Sequence, residues 1–262
     1  MYHTTGLTHE QVEEVAAAVH DRHPELAITA RSRGGHHGLT FFRRVHLAIS
    51  YLKLNICQAA LAEFFATSQS TVSRIITAFT AAVVDALGEH VPTGDDLDPG
   101  EQLIVDGTLL PCWSWRDHRE LYSGKHHTTG YNVQVAVRAD GTLIWVSDPL
   151  PGSVHDSRAL RESNILDTIP EGAPWSYIGD KGYIGLGMLT PKRKPMLNEL
   201  NDEEKKSNKA INAVRTVVEQ SIANLKTWRI LHTDYRRPLH TFATTLTAVL
   251  ALEFYRTGAK PL

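Results

Sequence analysis

Gln102-Leu103-Ile104-Val105-Asp106-Gly107-Thr108 is an apolar run that ends on an acid and a glycine. A second stretch has the same form: Trp175-Ser176-Tyr177-Ile178-Gly179 leads into Asp180-Lys181-Gly182-Tyr183. Short apolar runs bounded by turn residues read as strands, which puts each aspartate at a strand end. A third acid, Glu219, lies in the helical pattern Arg215-Thr216-Val217-Val218-Glu219, with Lys226 two turns on. At about 100° per residue, Arg215, Glu219 and Lys226 fall within about 40° of one another, and Asn212 follows at about 60°. Ile211, Val214, Val217, Val218, Ile222 and Leu225 fill the arc from about 200° to about 340°, the expected buried stripe. Two strand-end aspartates and a helix glutamate, far apart in sequence, are placed to converge. Converging carboxylates attract hard divalent cations. Two such cations activate a nucleophile and stabilise a leaving oxygen in phosphodiester chemistry. Plainer readings exist: Asp beside Gly caps turns, and Arg215 with Glu219 is an ordinary i,i+4 pair.

Upstream, residues 1–88 read as helical. Residues 8–22 carry Val12, Val15, Ala16 and Val19 at helical spacing, and residues 39–53 form a second helix. Residues 58–65 and 69–87 are two helices split by Ala66-Thr67-Ser68, so that about 39–87 reads as a helix-turn-helix. Ser68 is the expected N-cap, and Val72, Ile75 and Ile76 face the core. Gln69, Ser70, Ser73 and Arg74 face outward, where a recognition helix meets base edges and phosphates. Other short αα corners share this pattern. The Gly-, Pro- and Asp-rich stretch 89–100 is the expected linker, and 101–262 is the expected catalytic domain. There, residues 102–109, 131–138 and 142–148 read as strands, the last two joined as a hairpin by Ala139-Asp140-Gly141. A helix follows over 155–163, a strand over 176–179, a short strand near 188–190, and helices over 208–228 and 240–256.

The 262 residues, 42 % hydrophobic, suffice for one large domain or two smaller ones. Cys57 and Cys112 form no CxxC pair, which points to a reducing compartment. No secretory leader is read at the N-terminus, and 242–255 is too short to span a bilayer. The net charge of −2 does not announce a nucleic-acid partner, but its distribution does. Residues 31–53 hold five Lys/Arg and no acid, and residues 181–237 hold twelve against six acids. Such segregation suits local phosphate-facing surfaces.

Taken together, Ile104-Val105-Asp106-Gly107-Thr108, Tyr122-Ser123-Gly124-Lys125, Pro151-Gly152-Ser153-Val154-His155-Asp156-Ser157, Asp180-Lys181-Gly182-Tyr183 and Arg215-x3-Glu219-x6-Lys226 resemble the DDE transposases of the insertion-sequence-five and Harbinger-like group. The resemblance runs over about residues 39–257. It implies an α+β fold in which the all-α helix-turn-helix region precedes an RNase H-like domain, a mixed five-stranded sheet flanked by helices. It implies that Asp106, Asp180 and Glu219 are the catalytic triad and hold two Mg²⁺ or Mn²⁺ ions. Arg215 as a fork and Lys226 as a point charge would contact phosphates, with Lys125 and Lys181 as further DNA contacts. The group often carries a tyrosine three residues before the arginine; here that position is Asn212, so that role is not carried over.

Asp156 competes for the place of the second acid, or caps a helix; with His155 it is a secondary candidate. Trp113 and Trp115 share a face of an extended segment and could stack on an unpaired base; packing is the commoner role of tryptophan and the favoured reading. Lys192-Arg193-Lys194 is a loop cluster suited to the DNA backbone. The expectation is a cut-and-paste transposase of the cytoplasm and nucleoid. Its partners are double-stranded DNA, as terminal inverted repeats and target, and a second copy of itself at synapsis. The alternatives are a DNA-binding regulator without transfer activity and a metal-dependent endonuclease.

Overall fold

Thr8 and Ser68 open helices in the way their hydroxyls favour. Thr8 accepts from Gln11 N at 3.2 Å while its own N–H donates to Gln11 Oε1 at 3.0 Å, a reciprocal capping box. Ser68 accepts from Thr71 N at 3.2 Å. These contacts come from a computed structural model that describes residues 2–27, 38–113, 117–168, 176–196 and 199–258. The expected loop over 31–38 lies almost wholly outside the described residues.

The helices of the N-terminal region are α1 (Tyr2–Thr5), α2 (His9–Arg22), α3 (Phe41–Leu54), α4 (Gln58–Phe64) and α5 (Gln69–Leu87). The next region carries β1 (Leu103–Pro111), β2 (Tyr122–Ser123), β3 (Thr128–Val137), β4 (Leu143–Val146) and β5 (Leu150–Pro151). Then come α6 (Asp156–Glu162), β6 (Tyr177–Ile178), α7 (Asp202–Leu225) and α8 (Phe242–Thr257). The chain forms two compact units, one of 1–91 with 226–258, the other chiefly 92–225.

In the first unit α5 is central and packs on α2, α3, α4 and α8. Val72, Ile75, Ile76 and Phe79 are buried as the helical period requires. By length and hydropathy the run Gln69–Asp96 would pass for a membrane span, yet α5 within it is the core helix of this unit. The closing helix, grouped with the catalytic region on sequence order, packs on α5 instead. Its burial explains this: Leu246, Ala248, Val249, Leu250, Ala251, Leu252 and Phe254 are all buried, leaving no broad face for solvent. Trp228 Nε1 donates to Glu253 Oε2 at 2.8 Å, and Arg256 pairs with Glu253 at 2.6 Å, so the buried acid is satisfied.

The second unit is built on a mixed sheet. Strand β3 pairs antiparallel with β1, from Ile104↔Val137 to Pro111↔Gly130, and its other edge takes β4 and β5. Strand β6 adds to the far edge of β1 in parallel, with Ile104 beside Ile178. The last expected strand is reduced to a single parallel bridge, Ile178↔Leu189. The expected three antiparallel strands and parallel fourth are therefore present. β2 and β5, two residues each, were not anticipated and bring the sheet to six strands instead of five.

Side chains alternate across a strand, and directly opposed residues share a face. Leu103, Val105, Gly107 and Leu109 thus share one face of β1 with Asn132, Gln134 and Ala136 of β3. Ile104, Asp106 and Thr108 share the other with Val133, Val135 and Val137. The first face carries a core of Leu103, Val105, Ala136, Leu160, Tyr177 and Tyr183. Helix α6 packs on β3, and α7 packs on β1 and β3. Two expectations for α7 need correction. It starts at Asp202, not near 208, because Asn201 and Glu204 form a capping pair: Glu204 N donates to Asn201 Oδ1 at 2.8 Å and Asn201 N to Glu204 Oε2 at 3.0 Å. Val214 is exposed, and Ser221 takes a buried place by donating to Gly141 O at 2.7 Å.

Candidate active site

Asp106 lies inside β1 and is only partly buried. Its Oδ1 accepts from Gly107 N at 2.8 Å, and its Oδ2 accepts from Arg215 Nη2 of α7 at 3.1 Å. The side chains of this pair are 13 % and 16 % exposed. Burial raises the pKa of Asp106; Arg215 and the Gly107 N–H work against that rise, and the negative field of Asp180 adds to it. Asp180 caps a single 3₁₀ turn, Lys181–Tyr183, with Oδ1 accepting from Gly182 N at 2.6 Å. The parallel register sets Ile104 beside Ile178, and Asp106 and Asp180 each follow two residues later; Asp106 lies inside β1 and not at its end as expected, because β1 runs on to Pro111 in its ladder with β3. Strands so paired lie about 4.8 Å apart.

Glu219 is exposed, one turn past Arg215 on α7. The Arg215–Asp106 contact fixes which side of α7 addresses β1, and Glu219 follows about 40° round that side. The negative field of Asp180 reaches Asp106. Among the described residues, no three His, Cys, Asp or Glu side chains close into a ready cation cage. The donor set is of the right kind for Mg²⁺ or Mn²⁺, since all three candidates offer carboxylate oxygens.

Asp156 lies elsewhere. It is the first residue of α6, where His155 holds the N-cap position without a capping hydrogen bond, so the expected cap through Asp156 is absent. Its Oδ1 accepts from Asn132 Nδ2 at 2.8 Å and its Oδ2 from Lys125 Nζ at 2.7 Å. A β-carbon at Gly107 would sit 2.5 Å from Asp156 Oδ1 and 2.9 Å from Gln134 Nε2. Asp156 therefore lies against the face of β1 opposite the one that carries Asp106. Lys125, Asn132, Ser153, His155 and Asp156 line an open pocket there. Burial opposes the charge of Lys125, but the bond to Asp156 and the fields of Asp156, Asp106 and Asp180 raise its pKa on balance. His155 is exposed.

Other expected DNA contacts are distributed as follows. Arg215 is engaged with Asp106, so in this state its guanidinium is a counter-ion to an acid and not a surface fork. Lys226 falls just past the end of α7, which removes it from that helix's angular pattern; burial lowers its pKa. Lys181 is exposed, and its carbonyl accepts from Arg193 Nη2 at 3.0 Å. On α5, Gln69, Ser70 and Arg74 are exposed and Ser73 is partly so. Gln69 donates to Gln58 of α4 at 2.6 Å, and Arg74 folds back on Thr71 at 3.2 Å. Trp113 is half exposed, which does not match a packing role, and Trp115 lies outside the described residues.

Gln134 and Asn132 were not singled out in the sequence, and Tyr183 entered there only as the end of the Asp180 motif. Tyr183 donates to Gln134 Oε1 at 2.7 Å, and Gln134 Nε2 donates to Asn132 Oδ1 at 2.9 Å. All three are buried. Two amides in a strand with valines on alternate positions signal polar groups that need partners in a core.

A mixed sheet with helices packed on it, and carboxylates on its adjoining strands β1 and β6, is the architecture consistent with a nuclease class. Residues 105–253 match the DDE superfamily endonucleases, and the chain belongs to that family. It is 33 % identical over 196 residues to the transposase assigned to insertion sequence element IS112 of Streptomyces albus G, covering 72 % of this chain and 70 % of that relative. It is 25 % identical over 203 residues to the transposase assigned to insertion sequence element IS702 of Microchaete diplosiphon, covering 74 % and 72 % respectively. The protein is an enzyme of the transposase and nuclease class.

Proposed function

We propose that this protein is a cut-and-paste DNA transposase whose second unit is an RNase H-like catalytic domain. In this reading Asp106, Asp180 and Glu219 are its triad. The observation that supports the reading is the parallel register of β1 and β6, in which Asp106 and Asp180 each follow the paired Ile104 and Ile178 by two residues, with α7 packed on β1. Arg215 supports the third member, because its grip on Asp106 turns the Glu219 side of α7 toward the acids.

The three carboxylates would hold two Mg²⁺ or Mn²⁺ ions, which supply nucleophile activation and neutralise charge on the phosphate and leaving oxygen. The protein's own residues do the rest. Gly107 N and Arg215 orient Asp106, and the turn at Gly182 orients Asp180. Arg215 also neutralises Asp106; with cations held by the acids, it would be available to contact a phosphate. The helix-turn-helix formed by α4 and α5 binds the terminal inverted repeats through Gln69, Ser70, Ser73 and Arg74, with Lys125, Lys181 and Lys226 on the DNA backbone. Cleaved 3′-ends are then transferred to target DNA. Bringing two ends together requires at least a homodimer, working in the cytoplasm on the nucleoid.

Cleavage of a labelled duplex carrying the element's ends, with Mg²⁺ or Mn²⁺ and then with EDTA, tests this. Metal-dependent cuts at the ends by wild type and none by Asp106→Asn are expected. End binding without cleavage under any metal would make the protein a regulator instead.

A further inference from the structure

Beneath the acids, on the opposite face of the sheet, a chain of side-chain hydrogen bonds crosses from one strand to a loop two strands away. Tyr183 donates to Gln134, Gln134 to Asn132, and Asn132 to Asp156. Tyr183 and Gln134 are fully buried and Asn132 is 6 % exposed. Gln134 and Asn132 belong to β3, whereas Tyr183 closes the turn that Asp180 caps. Strand β1 lies between them in the sheet order β3-β1-β6. The bridge passes under β1 at Gly107, the residue directly opposite Gln134. Only a glycine leaves it room, since a β-carbon there would meet Asp156 Oδ1 and Gln134 Nε2.

The direction of the chain is set at its end. An ionised aspartate only accepts, so Asn132 must present its NH₂ to Asp156 and its oxygen to Gln134. Gln134 must then give its NH₂ to Asn132, which leaves its own oxygen for the Tyr183 hydroxyl. One carboxylate thereby orders two amides and a phenol in series. Lys125 Nζ donates to the outer oxygen of Asp156 at 2.7 Å, so both carboxylate oxygens accept, which imposes this order.

We propose that Asp156, Asn132, Gln134 and Tyr183 form a positioning bridge that holds the Asp180 turn in register with Asp106, and that Gly107 is the passage for it. This rests on the triad reading, but it assigns Asp156 to support and gives new roles to Asn132, Gln134 and Tyr183. None of these four side chains needs to touch DNA or metal for the bridge to act. Loss of an outer partner of a metal ligand commonly costs on the order of 10–100-fold in metal affinity or rate.

The test uses the full chain with Gln134→Met, Tyr183→Phe and the double variant. Three readouts separate positioning from mere stability. Side-chain NH₂ exchange of Asn132, followed by NMR, reports the bridge without metal or DNA. Mn²⁺ titration by electron paramagnetic resonance reports the acids. Single-turnover cleavage against DNA affinity separates rate from binding. Asn132 Nδ2 also donates to Val154 O at 2.9 Å, so its NH₂ should lose part of its protection in both single variants; Mn²⁺ affinity and cleavage rate should each fall about 10–100-fold, and DNA affinity should stay within about twofold. The double variant should lose little more than the worse single one, because both cut the same chain. Undiminished protection in Gln134→Met, or Mn²⁺ affinity and rate unchanged in a folded variant, would overturn the proposal. If wild type neither binds Mn²⁺ nor cuts DNA, the functional reading fails and the NH₂ exchange alone decides whether the bridge exists; unprotected Asn132 in wild type refutes it.

Discussion

Arg215 and Asp106, 109 residues apart in sequence, meet at 3.1 Å where α7 crosses β1. The contact ties the helix that carries Glu219 to the strand that carries the first acid. It also gives a part-buried carboxylate the one cation at bonding distance among the described residues.

Removing that cation has a pH signature. Asp106 already has a raised pKa, from burial first, and Arg215→Met removes the strongest opposing influence. Its folded-state pKa would then climb further above the ordinary 3.8. A carboxyl with a raised folded pKa keeps its full stability below its unfolded pKa and loses stability as pH rises through the folded one. Relative to wild type, Arg215→Met should therefore be little affected below about pH 4 and progressively less stable above it, by up to about 3 kcal/mol at neutral pH. Urea unfolding at several pH values checks the slope.

Gly107→Ala should damage the site out of proportion to one methyl. The new β-carbon would lie 2.5 Å from Asp156 Oδ1 and 2.9 Å from Gln134 Nε2. Overpacking of this kind costs about 1–3 kcal/mol. Cleavage should fall at least tenfold, since a displacement of about 1 Å near an active site has that weight or more. Single-turnover cleavage and a thermal melt measure the two effects.

The helical unit carries its own buried acid. Glu253→Leu would leave the Trp228 indole N–H and Arg256 without their shared acceptor. Orphaning such partners costs about 3 kcal/mol, so the melting temperature should drop by several degrees. A crystal structure of the variant with Trp228 turned to a new acceptor would account for a smaller loss.

Arg74→Ala should act on DNA alone. Arg74 is exposed and, among the described residues, bonded only within its own helix. Affinity for the element's ends should fall about tenfold and the salt slope by about one unit if Arg74 meets a phosphate, with stability unchanged. Fluorescence anisotropy at several salt concentrations reads both.

The strands were legible because β1, β3 and β6 are apolar runs with turn residues at their ends, and Ser68 and Thr8 announce their helices. The start of α7 was also legible in Asn201-x-x-Glu204 but was hidden by the charged residues around it. The Arg215–Asp106 pair was not, since a tertiary contact between two polar residues leaves no local pattern. Nor was the Gln134–Asn132 chain: in a strand with two buried faces, alternation no longer tells an inward polar residue from an outward one. The partner of α8 was similarly closed to sequence reading, because a helix apolar on all sides reports that it is buried and not against what.

The most direct test of the triad is cleavage and strand joining on a duplex with the element's ends, comparing wild type with Asp180→Asn, Glu219→Gln and Asp156→Asn. The account predicts that wild type cuts and joins only with Mg²⁺ or Mn²⁺, that Asp180→Asn and Glu219→Gln are inert, and that Asp156→Asn, which keeps an acceptor for Asn132, retains measurable activity. An inert Asp156→Asn beside an active Asp180→Asn would contradict it and move the second acid to the other face of the sheet.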